Sequence, residues 1–200
     1  MRRGLAFAAA AGAAALVAGV LTATPAYAGT CVTPDPCDTT VTFDVTAGAL
    51  QITVPDTVDL ANDGTPGGYA YGQLGAITVD DLRASATPSW VATVSSTAFI
   101  TGAGTDPGTS IPASDVYYCS GDATATTGSG TFVPGQASPC DPPPPADGTA
   151  LGTSATAFSH TVLPADTGNN TATWNPLLTI DIPLSAIAGQ FTGTITHSVA

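Results

Sequence analysis

The side chains able to do chemistry in this chain are few: two histidines, His160 and His197, four cysteines, and fifteen acidic residues, every one an aspartate. A serine-type hydrolase needs a histidine bonded to both a nucleophile and an orienting acid. Both histidines sit inside Thr-rich alternating stretches, far from any Gly-x-Ser-x-Gly turn. His197 alternates with Phe191, Gly193, Ile195 and Val199, an apolar set, so it reads as a half-buried packing residue.

A glycosidase needs two carboxyls with opposed proton affinities, and here both would have to be Asp. Asp80 and Asp81 are neighbours on a strand and face opposite sides. Asp56, Asp59 and Asp63 gather oxygens but lack the spacing of a calcium loop, and read as a solvated acidic turn. No catalytic residue, metal or cofactor is expected, and a secreted hydrolase is the weakest functional reading.

Arg2 and Arg3 precede an Ala-rich apolar run from Leu5 to Leu21, which Thr22, Thr24 and Pro25 close before Ala26-Tyr27-Ala28. This is the pattern of a secretory signal over residues 1–28, cleaved before Gly29. The expected location is therefore outside the cell, with no membrane span in the mature chain. Residues 29–200 suit one domain.

Beyond the signal, Arg83 is the only Lys or Arg, against all fifteen aspartates. Such a surface repels phosphate backbones and anionic lipid, which excludes nucleic acid as a partner and favours a neutral or cationic one. The same charge could equally serve solubility alone.

Cys31, Cys37, Cys119 and Cys140 all follow the cleavage site, in a chain bound for an oxidising compartment. Two disulfides are expected; of the three connectivities, short spacing favours Cys31 with Cys37 and Cys119 with Cys140. Zinc is the lesser reading, because neither pair has CxxC spacing.

These residues must be positioned by strands. Val41, Phe43 and Val45 alternate with polar neighbours, as do Leu50, Ile52 and Val54, two half-buried strands joined at Ala47-Gly48. Further strands are predicted over 75–81, 90–96, 115–118, 155–162, 171–182 and 191–199, with single helical turns at 111–114 and 182–186. The fold class is all-β with very little helix: an antiparallel β-sandwich, immunoglobulin-like in general architecture. Gly121–Leu151, with Pro142 to Pro145, reads as a long Pro/Gly-rich loop, since consecutive prolines cannot join a ladder.

The aromatic rings are the candidates for ligand contact. Trp90, Trp174, Tyr69 and Tyr71 could stack on sugar rings, while a tryptophan in a small sandwich can instead pin its core. For Trp90, core is the favoured reading.

Asp81-Leu82-Arg83, the small residues 84–89 and Trp90-Val91-Ala92-Thr93-Val94-Ser95 resemble the first signature of the WxL cell-surface family, with Ala92 in place of Leu. Ala188-Gly189-Gln190-Phe191-Thr192 resembles the turn into the second signature, where His197-Ser198-Val199 stands in place of Trp-x-Leu. Thr173-Trp174-Asn175-Pro176 looks like the penultimate strand of such domains.

The resemblance implies an exported β-sandwich held non-covalently on peptidoglycan or a wall glycopolymer, with no enzyme activity. It also places His197 at a ligand-facing position. On an acidic surface, a protonated His197 would then strengthen binding to anionic wall polymers as pH falls towards 5. The alternative is a structural or adhesive surface subunit that associates with other surface proteins or with copies of itself by lending a strand.

Overall fold

The computed structural model describes residues 40–141 and 148–200. The expected signal and Cys31 with Cys37 lie outside them. The chain divides into Met1–Phe43 and Asp44–Ala200, and every strand of the described residues belongs to the second unit.

The fold is all-β and antiparallel, as β-branched Thr, Val and Ile in alternation dictate. One sheet orders β1 (Leu50–Thr53), β3 (Ile77–Asp81), β12 (Asn170–Trp174) and β8 (Ala123–Thr127). A second orders β10 (Thr149–Ala150), β7 (Val116–Cys119), β13 (Leu177–Asp181) and β2 (Tyr69–Gln73). A third orders β14 (Ile195–Val199), β4 (Trp90–Ser96), β11 (Ala155–Thr161) and β9 (Thr131–Pro134). The short β5 (Phe99–Ile100) and β6 (Ser110–Ile111) pair with each other.

Three neighbouring strands pass from the second sheet to the first at one level: β2 into β3, β13 from β12, and β7 into β8. Each crossing has a breaker. Gly75 and Gly121 take the left-handed conformation that favours glycine, and Pro176 lacks a ladder donor. The crossing is bonded across: Leu74 N–H donates to the Pro176 carbonyl at 2.9 Å, and Gly75 N–H to Asn175 Oδ1 at 3.0 Å. β1 runs beside β14, and β8 beside β9.

Trp90, Trp174, Tyr118, Phe158, Val79, Val94 and Leu178 fill one core to which all three four-stranded sheets contribute. The two indoles are 2% and 0% exposed. That bears out Trp90 as a core residue, and it corrects the ligand-stacking reading of both rings, because neither offers a face to solvent.

Other expectations need correction. Val41, Phe43 and Val45 form no strand and are 77%, 84% and 75% exposed. The stretch read as a long loop carries β8, β9 and β10, because Thr and Ala alternate there and Gly128-Ser129-Gly130 turns the chain. Residues 171–182 are two strands, broken at Asn175-Pro176. Residues 182–186 form a turn closed by Ala186 N–H on the Pro183 carbonyl, and the one short helix among the described residues is the 3-10 turn Ala113–Asp115. Cys119 is bridged to Cys140, as spacing suggested.

Candidate functional site

Two polar assemblies reach into the core, each built on a tryptophan. At the first, Asp81 ends β3 with its carboxylate buried, and Arg83 folds back onto it: Nε donates to Oδ1 and Nη2 to Oδ2, both at 2.8 Å. The Arg83 backbone N–H adds a bond at 3.1 Å, and Nη2 also donates to the Ser89 carbonyl at 3.0 Å. The Asp-x-Arg turn is therefore a clamp on the 82–89 loop. Burial alone would raise the Asp81 carboxyl, but the Arg83 bonds and charge, with Asn170 helping, hold it below the ordinary carboxylate value.

Trp90 joins this clamp through Asn170: the indole N–H donates to Asn170 Oδ1 at 2.7 Å, while Nδ2 donates to Asp81 Oδ2 and the Pro88 carbonyl. His160 completes it. Its ring bridges the Pro88 carbonyl at 2.8 Å and the Ser129 carbonyl at 2.9 Å, and stacks on Phe132. A side chain at Gly130 would collide with His160 Nε2, so only glycine lets the β8–β9 turn approach this ring. Asp81, Arg83 and Trp90 are thus brought together as structure, with the carboxylate and the indole N–H both satisfied by protein partners.

The second assembly is open. Trp174 N–H donates to the Tyr118 hydroxyl at 2.9 Å, and that oxygen lies 3.2 Å from His197 Nε2. The hydroxyl proton of the buried Tyr118 has Nε2 as its acceptor, which leaves the imidazole proton on Nδ1. Burial pushes the Tyr118 phenol far up and the His197 imidazolium down to about 4. Desolvation outweighs the acidic surface, so the expected charging of His197 near pH 5 is corrected: the ring stays neutral there.

His197 lines a cleft of about 270 Å³ between the segment after β1 and the entry to β14. Val54, Val58, Leu60, Phe99 and Ile195 supply apolar walls, with Asp56, Thr57 and Thr194 at polar points. A neutral ring held by a phenol is a hydrogen-bonding fixture in an apolar cleft. It has the chemistry to bind and orient, and a weak basicity. Asp56 enters this cleft as a wall residue. Among the described residues no three metal-ligating side chains gather, and no helix is long and apolar enough to cross a membrane.

The other candidate rings lie on the outer face of the second sheet. Tyr71 pairs with Thr179, and Thr179 pairs with Tyr117, so the three side chains form a row across β2, β13 and β7. Tyr69 pairs with Asp181 one step along the same face. All three tyrosines are half-buried, while Thr179 between them is 2% exposed. Across two strand spacings the backbones of Tyr71 and Tyr117 stand about 10 Å apart. A crevice of about 10 Å³ at Tyr117, Cys119, Cys140 and Asp141 borders the row.

The sequence reading named Tyr69, Tyr71 and His197, and the structure puts the tyrosines on one surface and the histidine in a separate cleft. It missed Asn170 and assigned no role to Tyr117 or Tyr118. Their adjacency was the available signal: neighbours on a strand face opposite sides, so one tyrosine had to enter the core and the other to face out. No family model, no curated protein and no solved structure matches this chain.

Proposed function

We propose that this chain is an exported surface-binding module that associates non-covalently with a cell-wall polymer, peptidoglycan or a wall glycopolymer. In this reading the domain is a single β-sandwich, immunoglobulin-like in general architecture. The adjacency of β1 with β14 and of β8 with β9 supports it, since two sheets whose edges meet on both sides enclose a core between them.

The observation that carries the functional reading is the outer row of Tyr71, Thr179 and Tyr117 with Tyr69 beside it. Half-exposed rings on a rigid sheet face stack on the apolar faces of sugars at little entropic cost, and their hydroxyls bond sugar oxygens. Asp181 on the same face adds an acceptor for hydroxyl or amide donors. The acidic surface favours a neutral glycan over an anionic one. The resemblance of Asp81–Ser95 to the WxL signature supports export and wall association.

The test is co-sedimentation of the exported chain with purified peptidoglycan, with and without its anionic glycopolymers. Retention on the stripped polymer, at least equal to that on the unstripped one, is expected. An unretained chain in both arms removes the reading.

A further inference from the structure

Every buried polar side-chain atom among the described residues has a protein partner. On His197 only Nε2 is bonded, to the Tyr118 hydroxyl at 3.2 Å, and with that hydroxyl as the donor the ring proton sits on Nδ1. Nδ1–H makes no bond to any described residue, so it is not buried: it opens into the cleft of about 270 Å³ that the ring lines. The Trp174–Tyr118–His197 chain thereby presents a donor, since the indole N–H fixes the hydroxyl and the hydroxyl fixes the tautomer.

The rest of the cleft limits what that donor can meet. Val58, Phe99 and Ile195 wall it, and Leu74, Ile77 and Leu178, none more than 7% exposed, carry it down to the core. A cavity of about 150 Å³ with apolar walls takes up benzene, so this one has room for a ring and a short substituent. Its lining holds one carboxylate, the exposed Asp56, and no Lys or Arg; Arg83, the only cation of that kind beyond residue 3, is bound to Asp81. The imidazole itself stays neutral. An anion would therefore enter apolar surroundings without a counter-charge, and an ammonium would give up its water for Asp56 alone.

We propose that this cleft binds a small neutral molecule with a ring-sized apolar body and one carbonyl oxygen, the oxygen accepting from His197 Nδ1–H and the body lying against Phe99 and Leu178. A carbonyl fits better than a hydroxyl, which brings a proton of its own, because the ring's one acceptor, Nε2, is already taken by Tyr118. The site is separate from wall binding: Leu178 and Thr179 are neighbours on β13 and face opposite sides, one towards the cleft and the other in the tyrosine row.

Titration of the exported chain with acetophenone, followed by proton–nitrogen correlation spectra of the backbone and of the His197 ring, tests the proposal. Saturable shifts at Val58, Ile195 and His197 are expected, with Nδ1 the ring nitrogen most affected. α-Methylstyrene, which carries a CH2 group in place of the oxygen, should bind about fivefold more weakly, the worth of one hydrogen bond, and benzoate more weakly still. Val58→Trp, which fills the cleft from an exposed position outside any strand, should abolish saturation by acetophenone while circular dichroism stays unchanged. Shifts that do not saturate, or that fall away from the cleft, overturn the proposal. So do equal affinities for acetophenone and α-methylstyrene, benzoate bound as tightly as acetophenone, or binding undiminished in Val58→Trp.

Discussion

The two tryptophan assemblies use one device to opposite ends. At Trp90 the indole N–H is passed to Asn170, then to Asp81 and Arg83, with His160 bridging two carbonyls, and every partner comes from the protein. At Trp174 the indole N–H is passed to Tyr118 and then to His197, whose ring walls an open cleft. A buried indole needs an acceptor in either case. Where the chain of partners closes on itself it fixes a loop, and where it runs out to a cleft it leaves a polar ring beside apolar walls.

Removing the closed assembly's ring should have the largest effect. Trp90→Ala is expected to cost about 3–5 kcal/mol by urea denaturation. The sharper form of the comparison is substitution by Phe. Trp90→Phe strips Asn170 Oδ1 of its donor, whereas Trp174→Phe leaves Tyr118 still bonded to His197, so the first variant should be the less stable. The reverse order breaks the comparison.

Acid should separate the two ends. His197 is depressed to about 4 from an ordinary 6.5, so the unfolded chain takes up the proton first as pH falls. Stability is full above about 6.5, declines as pH drops towards 4, and levels below, a loss of about 3 kcal/mol. Asp81 is also depressed, but as a carboxylate: its contribution is complete above the ordinary 3.8 and is lost as pH falls below it. Between pH 7 and 4 the denaturation midpoint of the wild type should fall by more than that of His197→Leu, which lacks the titrating ring.

The smallest effect is expected at the clamp's exposed partner. Arg83→Lys keeps the charge but loses the two-pronged contact with Asp81, at a cost of about 1 kcal/mol.

Much of the fold was legible because side-chain alternation reports a sheet with one wet face: β4 is predicted residue for residue, and β3, β7, β11 and β14 to within a few residues. The strand break at Asn175-Pro176 was hidden by continuous apolar residues on both sides, since β13 is buried on both faces and shows no alternation. The strands β8 and β9 were hidden by Gly and Ser around them, whose turn is tight because His160 lies against it. Val41–Val45 carries a strand's pattern without a strand's partner, which alternation cannot report.

At the site, alternation located His197 on an inward face but could not reveal its solvation, and it is solvation that keeps the ring neutral. Asn170 was illegible altogether, because its role depends on three groups far away in sequence.

Asp81, Arg83 and Trp90 are structural, and the proposed wall contact belongs to the tyrosine row. Co-sedimentation with purified peptidoglycan of wild type, Arg83→Lys and the double variant Tyr71→Thr/Tyr117→Thr, each verified as folded, tests this most directly. Arg83→Lys should be retained like wild type, and the double variant should lose retention about tenfold or more. Loss in Arg83→Lys with full retention of the double variant would contradict the account.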